Sequence, residues 1–194
     1  RGVTFCGADL RFPGNILCTG LGYTILGSFF SNTGKSAKRI PEILQNAGLP
    51  CSVSENIQGE IWTKTLVNTG LNPYGAITGM KNGELVQHPT LKELMVNTIQ
   101  EGMQVSKMSN ISLEDDPVQL LFKTAEETKE NYNSMLQDIK RRKRTEIDYI
   151  NGAVKQIGRR TAAYTPLNNF LTFMIKNLEA KLQVAKKTVQ PYTS

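Results

Sequence analysis

Lys64, Asn68 and Asn72 recur every four residues in Trp62-Thr-Lys-Thr-Leu-Val-Asn-Thr-Gly-Leu-Asn-Pro-Tyr74. On a helix each such step turns about 40° and rises about 6 Å, so the three form one polar ladder. An ammonium can hold negative charge and give a proton, and amides both donate and accept. Ile57 and Ile61 lead into the ladder, so the stripe 57, 61, 64, 68, 72 begins apolar and turns polar halfway. An amphipathic helix keeps such a stripe apolar and turns it to the core. A lysine and two amides placed there either reach solvent or line a cavity that binds something. Asparagine's poor helix propensity also fits a frayed, solvated face, and spacing alone leaves both readings open.

Two further blocks carry polar groups. Ser134-Met-Leu-Gln137 has the spacing of a capping box with Ser134 at the N-cap, and Thr145-Glu-Ile-Asp148 offers a similar start. On one continuous helix Ser134 and Glu146 would stand about 18 Å and about 120° apart. The second cap predicts a break near the five basic residues Lys140–Arg144, and a break lets Ser134 and Glu146 face one pocket. A solvated loop is the plain reading of that run. Without interleaved aromatics it is a poor nucleic-acid footprint, and no nucleic-acid partner is expected. His88, the one histidine, precedes Pro89 and reads as a surface residue. A histidine-based triad and a zinc site are therefore excluded. Gly20-Leu-Gly22 with Gly27 misses the dinucleotide fingerprint, because the third glycine comes late and apolar, strand-like sequence follows.

The elements that must position these residues fall into two kinds. Up to about residue 33 the chain is glycine-rich and β-prone, with runs Gly2–Ala8, Asn15–Thr19 and Tyr23–Phe30. A short helix follows over Gly34–Ala47, with Gly48 as its C-cap, then a strand over Leu49–Ser54. From residue 55 the pattern turns helical, over about 55–72, 74–79, 90–108, 117–131, 134–139, 145–163 and 166–185. Pro73 predicts a break or kink in the ladder helix, and Met80–Glu84 reads as a turn centred on Asn82-Gly83. The tail Lys186–Ser194 is polar and expected to fray. The resulting fold class is mostly α: a partial α/β segment over residues 1–54, then an all-helical domain over 55–194.

Composition narrows the setting. Hydrophobic residues make up 39% and charged residues 21%, which is ordinary for a soluble protein. A net charge of +6, from 23 basic and 17 acidic residues, suits small anionic ligands. Cys6, Cys18 and Cys51 are too far apart for a metal site and read as reduced thiols of a cytoplasmic protein. The uncharged stretch from Phe12 to Gly34 holds Pro13 and five glycines, so no membrane span is expected. The chain opens on Arg1 in what reads as mid-strand, so a fragment or processed product is expected.

Taken together, these blocks resemble the ketopantoate reductase (2-dehydropantoate 2-reductase) family over nearly the whole chain. The matching residues are Gly7-Ala8, Gly20-x-Gly22 with Ile25 and Gly27, Ala47-Gly48, Asn56-Ile57, and Ile61-Trp62-x-Lys64 with Asn68 and Asn72-Pro73. Asn82-Gly83-Glu84-Leu85, Ser134–Asp138 and Thr145-Glu-Ile-Asp-Tyr-Ile-Asn-Gly152 complete them. The resemblance implies an N-terminal Rossmann-type domain for NADPH and a C-terminal helical domain similar to that of 6-phosphogluconate dehydrogenase, with the active site in the cleft between. It implies that Lys64 is the catalytic lysine and that Asn68, Asn72 and Ser134 bind substrate. Glu146 would be a catalytic carboxylate near the substrate and the nicotinamide ribose.

The chemistry of the residue types agrees with those roles. Hydride delivered to a ketone carbon leaves charge on oxygen, which an adjacent ammonium stabilises and protonates. A semi-apolar setting would lower the lysine's pKa toward neutrality. The implied reaction is reduction of ketopantoate to pantoate. The family's dinucleotide loop would lie ahead of residue 1, so this chain alone is expected to be inactive. Two alternatives stand beside that reading: a reductase of another 2-keto acid, and a non-catalytic helical dimerisation or interaction fragment, with a homodimer as one possible partner arrangement.

Overall fold

The computed structural model describes residues 1–28 and 36–188. They form two compact units: Arg1–Lys64 with Ser112–Asp115, and Thr65–Ile111 with the chain from Asp116 onward. The expected continuation of a strand to Phe30 and the expected helix start at Gly34 lie outside the described residues, as do residues 189–194 of the tail.

In the first unit, β1 (Gly2–Thr4), β4 (Thr24–Leu26) and β5 (Cys51–Val53) make a sheet in the order β1-β4-β5, and β2 (Gly7–Phe12) pairs with β3 (Asn15–Gly20) as a hairpin. β4 and β5 are parallel, and helix α1 (Ser36–Asn46) lies between them in sequence. A parallel pair requires such a crossover. β1 is antiparallel to β4, with Val3 opposite Ile25. These two residues, Cys51 and Ile57 are buried apolar residues of the unit. The expected run Gly2–Ala8 divides after Thr4, where Phe5 stacks on Tyr23 with ring centroids 4.6 Å apart.

Helix α2 (Ile57–Thr78) begins in the first unit and continues into the second. The second unit is helical: α3 (Asn82–Gln87), α4 (Pro89–Met108), α5 (Pro117–Glu127), α6 (Ser134–Lys140), α7 (Asn151–Thr161) and α8 (Pro166–Thr188). The fold is mostly α, as the sequence indicates. From Thr69 to Ala76 every residue of α2 is buried, the mark of a central helix. α4 buries Met95, Thr98, Ile99, Gly102, Val105 and Ser106, the three- and four-residue spacing of a helix face. A methyl on Gly70 would stand 2.7 Å from Ile99 Cγ1, and one on Gly102 would overlap Leu66 Cδ2, so the two glycines let α2 and α4 approach closely. Ala76, Met135, Ile147, Ile150 and Ile175 form a packed core cluster flanked by Ile139 and Leu178.

Four local expectations change. α2 does not stop at Pro73 but runs on to Thr78. Asn82-Gly83 is not the centre of a turn but the buried start of α3, where Asn82 Nδ2 donates to Thr128 Oγ1 at 2.9 Å. Gly83 is needed there because a methyl would sit 2.6 Å from Lys129 Cβ. The N-cap of α6 is Asn133, whose Oδ1 accepts from Leu136 N at 3.0 Å, so Ser134 is the first helical residue. α7 begins at Asn151, not Thr145. Among the described residues no helix is long and apolar enough to cross a membrane.

Candidate functional site

Lys64 belongs to the first unit and Asn68, Asn72, Ser134 and Glu146 to the second. The Lys64 ammonium donates to Thr4 O at the end of β1 and lies 4.8 Å from the Phe5 ring centroid. A carbonyl and an aromatic face both attract a cation, so this end of the side chain is held without consuming its charge. Lys64 is half-buried.

Asn68 is half-buried and Asn72 is only 4% exposed, so their part of the ladder is not a solvated face. Neither side-chain amide has a hydrogen-bond partner among the described residues. Neither amide is among the fully buried unpaired atoms, so both keep access to solvent or to a ligand with oxygen atoms.

Local packing brings the start of α6 to this part of α2. The Asn133 amide donates to Leu71 O, the carbonyl just before Asn72, at 3.4 Å. It fits because residue 75 is glycine; a methyl there would overlap the Asn133 nitrogen. Ser134 is therefore fixed one residue from a side chain anchored to α2. It is exposed, and its hydroxyl has no partner among the described residues.

The expected break after the basic run is present. α6 ends at Lys140, Arg142 turns with φ 55°, and the chain reaches α7 through residues 145–150. Lys140 stacks its ammonium 3.3 Å from the Tyr132 ring centroid, and Arg144 pairs with Asp148 at 3.1 Å. Lys140–Arg144 are all exposed, as a solvated loop requires.

The Thr145–Gly152 block is mostly scaffold. Thr145 N and Oγ1 both donate to Glu179 Oε1, at 2.6 and 2.7 Å. Ile147 and Ile150 enter the core cluster. Asp148 does not cap a helix; it accepts from Lys176 at 2.8 Å and from Arg144, and these partners hold its carboxyl below the usual range against the opposing effect of burial. Asn151 is fully buried and donates to Thr69 O at 3.2 Å. Glu146 stands apart: it is exposed and its carboxylate has no partner among the described residues. Ala76, Met135 and Ile147 share one core cluster. They lie one turn beyond Asn72, one residue beyond Ser134 and one beyond Glu146. The second unit thus draws together the three segments that carry these candidates.

Sequence reasoning missed the supporting residues Asn133 and Asn151. A signal for Asn151 existed: a proline at 73 leaves the carbonyl of residue 69 without its helical donor, so a buried donor had to come from elsewhere.

The described residues supply neither a metal cluster nor a dinucleotide loop. No group of three or more His, Cys, Asp or Glu side chains could hold a metal ion. Gly20-Leu21-Gly22 leads into β4 rather than a helix, and Gly22, at φ 42°, is pressed against the Phe5 carbonyl. It offers no helix N-terminus to a pyrophosphate.

Residues 56–179 match the family model described as ketopantoate reductase PanE/ApbA, C-terminal. A 2-dehydropantoate 2-reductase of Pyrococcus horikoshii is 39% identical over 92% of this chain and 60% of its own length. The chain thus spans about three-fifths of that curated relative. Among solved structures, a PanE/ApbA family ketopantoate reductase from Ralstonia eutropha superposes with a TM-score of 0.86 at 26% identity, over 94% of this chain and 59% of that one. D-mandelate dehydrogenase, in a ternary structure with NADH and anilino(oxo)acetate, superposes with a TM-score of 0.84 at 29% identity, over 93% and 60%.

Proposed function

The chain belongs to the ketopantoate reductase PanE/ApbA C-terminal family, and from that premise we propose that it forms the substrate-binding and catalytic part of an NADPH-dependent 2-dehydropantoate 2-reductase. The observation that carries this reading is the unspent polarity of the second unit. Asn68, Asn72, Ser134 and Glu146 keep side chains without hydrogen-bond partners among the described residues, while their neighbours are committed to packing. We assign residues 1–54 to the end of a nicotinamide-binding domain and residues 55–194 to the helical domain.

In the proposed reaction a reduced nicotinamide supplies hydride to the C2 carbonyl carbon. Lys64 stabilises the charge that develops on the carbonyl oxygen and gives it a proton, which completes the alcohol. Asn68, Asn72 and Ser134 orient the carboxylate and hydroxyl groups of the substrate. Glu146 accepts from a substrate or ribose hydroxyl. The pyrophosphate of the dinucleotide has no cradle among the described residues, so this chain's part is confined to the substrate side. The setting is the cytoplasm, consistent with Cys6, Cys18 and Cys51 all being free thiols.

The test is steady-state kinetics on the complete protein. Reduction of 2-dehydropantoate, faster with NADPH than with NADH, is expected; no turnover of it with either cofactor overturns the reading. The similarity to D-mandelate dehydrogenase favours one second reading, a reductase of a different 2-keto acid. A higher kcat/KM for phenylglyoxylate than for 2-dehydropantoate would select it.

A further inference from the structure

Pro73 has no amide hydrogen, so helix α2 loses the bond that residue 73 would make to Thr69 O, one turn back. Such a carbonyl, buried without a donor, ordinarily kinks or ends a helix. Here α2 continues for five further residues. The donor comes from another helix: Asn151, the first residue of α7 and fully buried, places Nδ2 3.2 Å from Thr69 O.

The orientation of that amide is set by a relay. Asn168, also fully buried, directs Nδ2 to Thr98 O at 3.0 Å and to Glu101 Oε2 at 2.9 Å, both of them acceptors. Its Oδ1 must then face the other way, where it accepts from Asn151 Nδ2 at 3.1 Å. Turning the Asn151 amide over would set its oxygen against two acceptors, Thr69 O and Asn168 Oδ1. Its present orientation leaves Asn151 Oδ1 buried without a partner. Glu101 is itself fixed, because its carboxylate accepts Leu167 N at 2.8 Å and Asn168 N at 3.0 Å, the open donors of the first turn of α8.

Thr69 stands between Asn68 and Asn72. We propose that Asn151, oriented by Asn168 and Glu101, is a positioning residue: it supplies the hydrogen bond Pro73 removes and so holds the turn that presents Asn68 and Asn72 to the keto acid. The inference rests on the proposed substrate-binding role of those two asparagines.

The test is a double-mutant cycle in the complete enzyme. Asn151→Ala, Pro73→Ala and the double variant are compared by KM and kcat for 2-dehydropantoate and by Tm. Asn151→Ala is expected to raise KM about tenfold, with a smaller change in kcat, because a buried carbonyl is left unpaired. Pro73→Ala returns an N–H to Thr69 O, so the double variant should match Pro73→Ala alone within about twofold in KM, a spread of under half a kcal/mol. Losses in the double variant that simply add would overturn the proposal. Asn151→Asp keeps the shape but removes both donors, and wild-type behaviour from it would also overturn the proposal. If Asn151→Ala does not fold, a folded double variant supports the proposal, and failure of both to fold overturns it. The Tm cycle needs no substrate, so a wild type that does not reduce 2-dehydropantoate defeats the functional reading and leaves this test intact.

Discussion

Helix α2 and the region where α4, α7 and α8 meet hold the same kind of side chain in opposite states. Asn68 and Asn72 on α2 keep amides with no partner among the described residues, although Asn72 is only 4% exposed. Both fully buried, Asn151 gives its donors to Thr69 O and Asn168 Oδ1, and Asn168 gives its own to Thr98 O and Glu101. Asn72 is nearly as buried as Asn151 and Asn168, so burial alone does not separate a committed amide from an uncommitted one. The difference lies in where the hydrogen bonds go. The scaffold amides commit their donors internally, with Asn151 Oδ1 left unpaired, whereas the Asn68 and Asn72 side chains commit neither donor nor acceptor among the described residues.

That contrast is open to direct attack. The largest effect expected is from Lys64→Ala in the complete enzyme. Loss of the proton donor should lower kcat by roughly 10²–10⁴-fold with little change in Tm. Unchanged turnover would remove Lys64 from the mechanism.

Asn168→Ala removes a fully engaged amide and leaves Thr98 O and the Asn151 amide short of partners. It should destabilise the protein by about 2–3 kcal/mol, a fall in Tm of about 4–12 °C by thermal melting. Asn72→Ala should do the reverse. It deletes an amide without a partner, so Tm should hold or rise while KM for the keto acid climbs about tenfold. If both variants lose stability equally, the distinction between spent and unspent amides fails.

A smaller effect belongs to the first unit, where Glu60 sits near Glu114 and Asp115. Partial burial first, and then those two carboxylates, raise its pKa. A carboxyl raised on folding favours the native state in its neutral form, so that contribution is present at low pH and lost as pH rises through the raised value. Glu60→Gln should therefore give a slight gain in Tm near pH 7. The gain should shrink as the pH is taken below the usual carboxylate range, and pH-dependent melting of the two proteins would detect it.

Much of the molecule is legible along the chain because it depends on local periodicity. The change from short strands to long helices after residue 54, the ladder spacing, the break after the basic run and the surface position of His88 need only residues close in sequence. The misreadings share a cause. Pro73 carries a local signal for a break or kink and Asn82-Gly83 one for a turn, yet at each a helix takes the segment with a distant partner beside it. Asn151 replaces the missing donor at Pro73. Asn82 bonds Thr128, and Gly83 lets the chain lie against Lys129. The α6 cap falls on Asn133 rather than Ser134 because Asn133 competes for the same role, and its other amide contact is with Leu71 O, 62 residues away.

The sequence by itself determined the helical character, which follows from spacing and composition, and the family, which its matching residue blocks carry. Only the tertiary structure decided which polar groups are spent. Of the Thr145–Gly152 block it gave the side chains of Thr145, Asp148 and Asn151 to internal bonds and left the Glu146 carboxylate with no partner among the described residues. The physical reason is that a hydrogen bond is a pairing. A residue's type fixes what it can offer, but whether the offer is taken depends on what the fold brings within 3 Å of it.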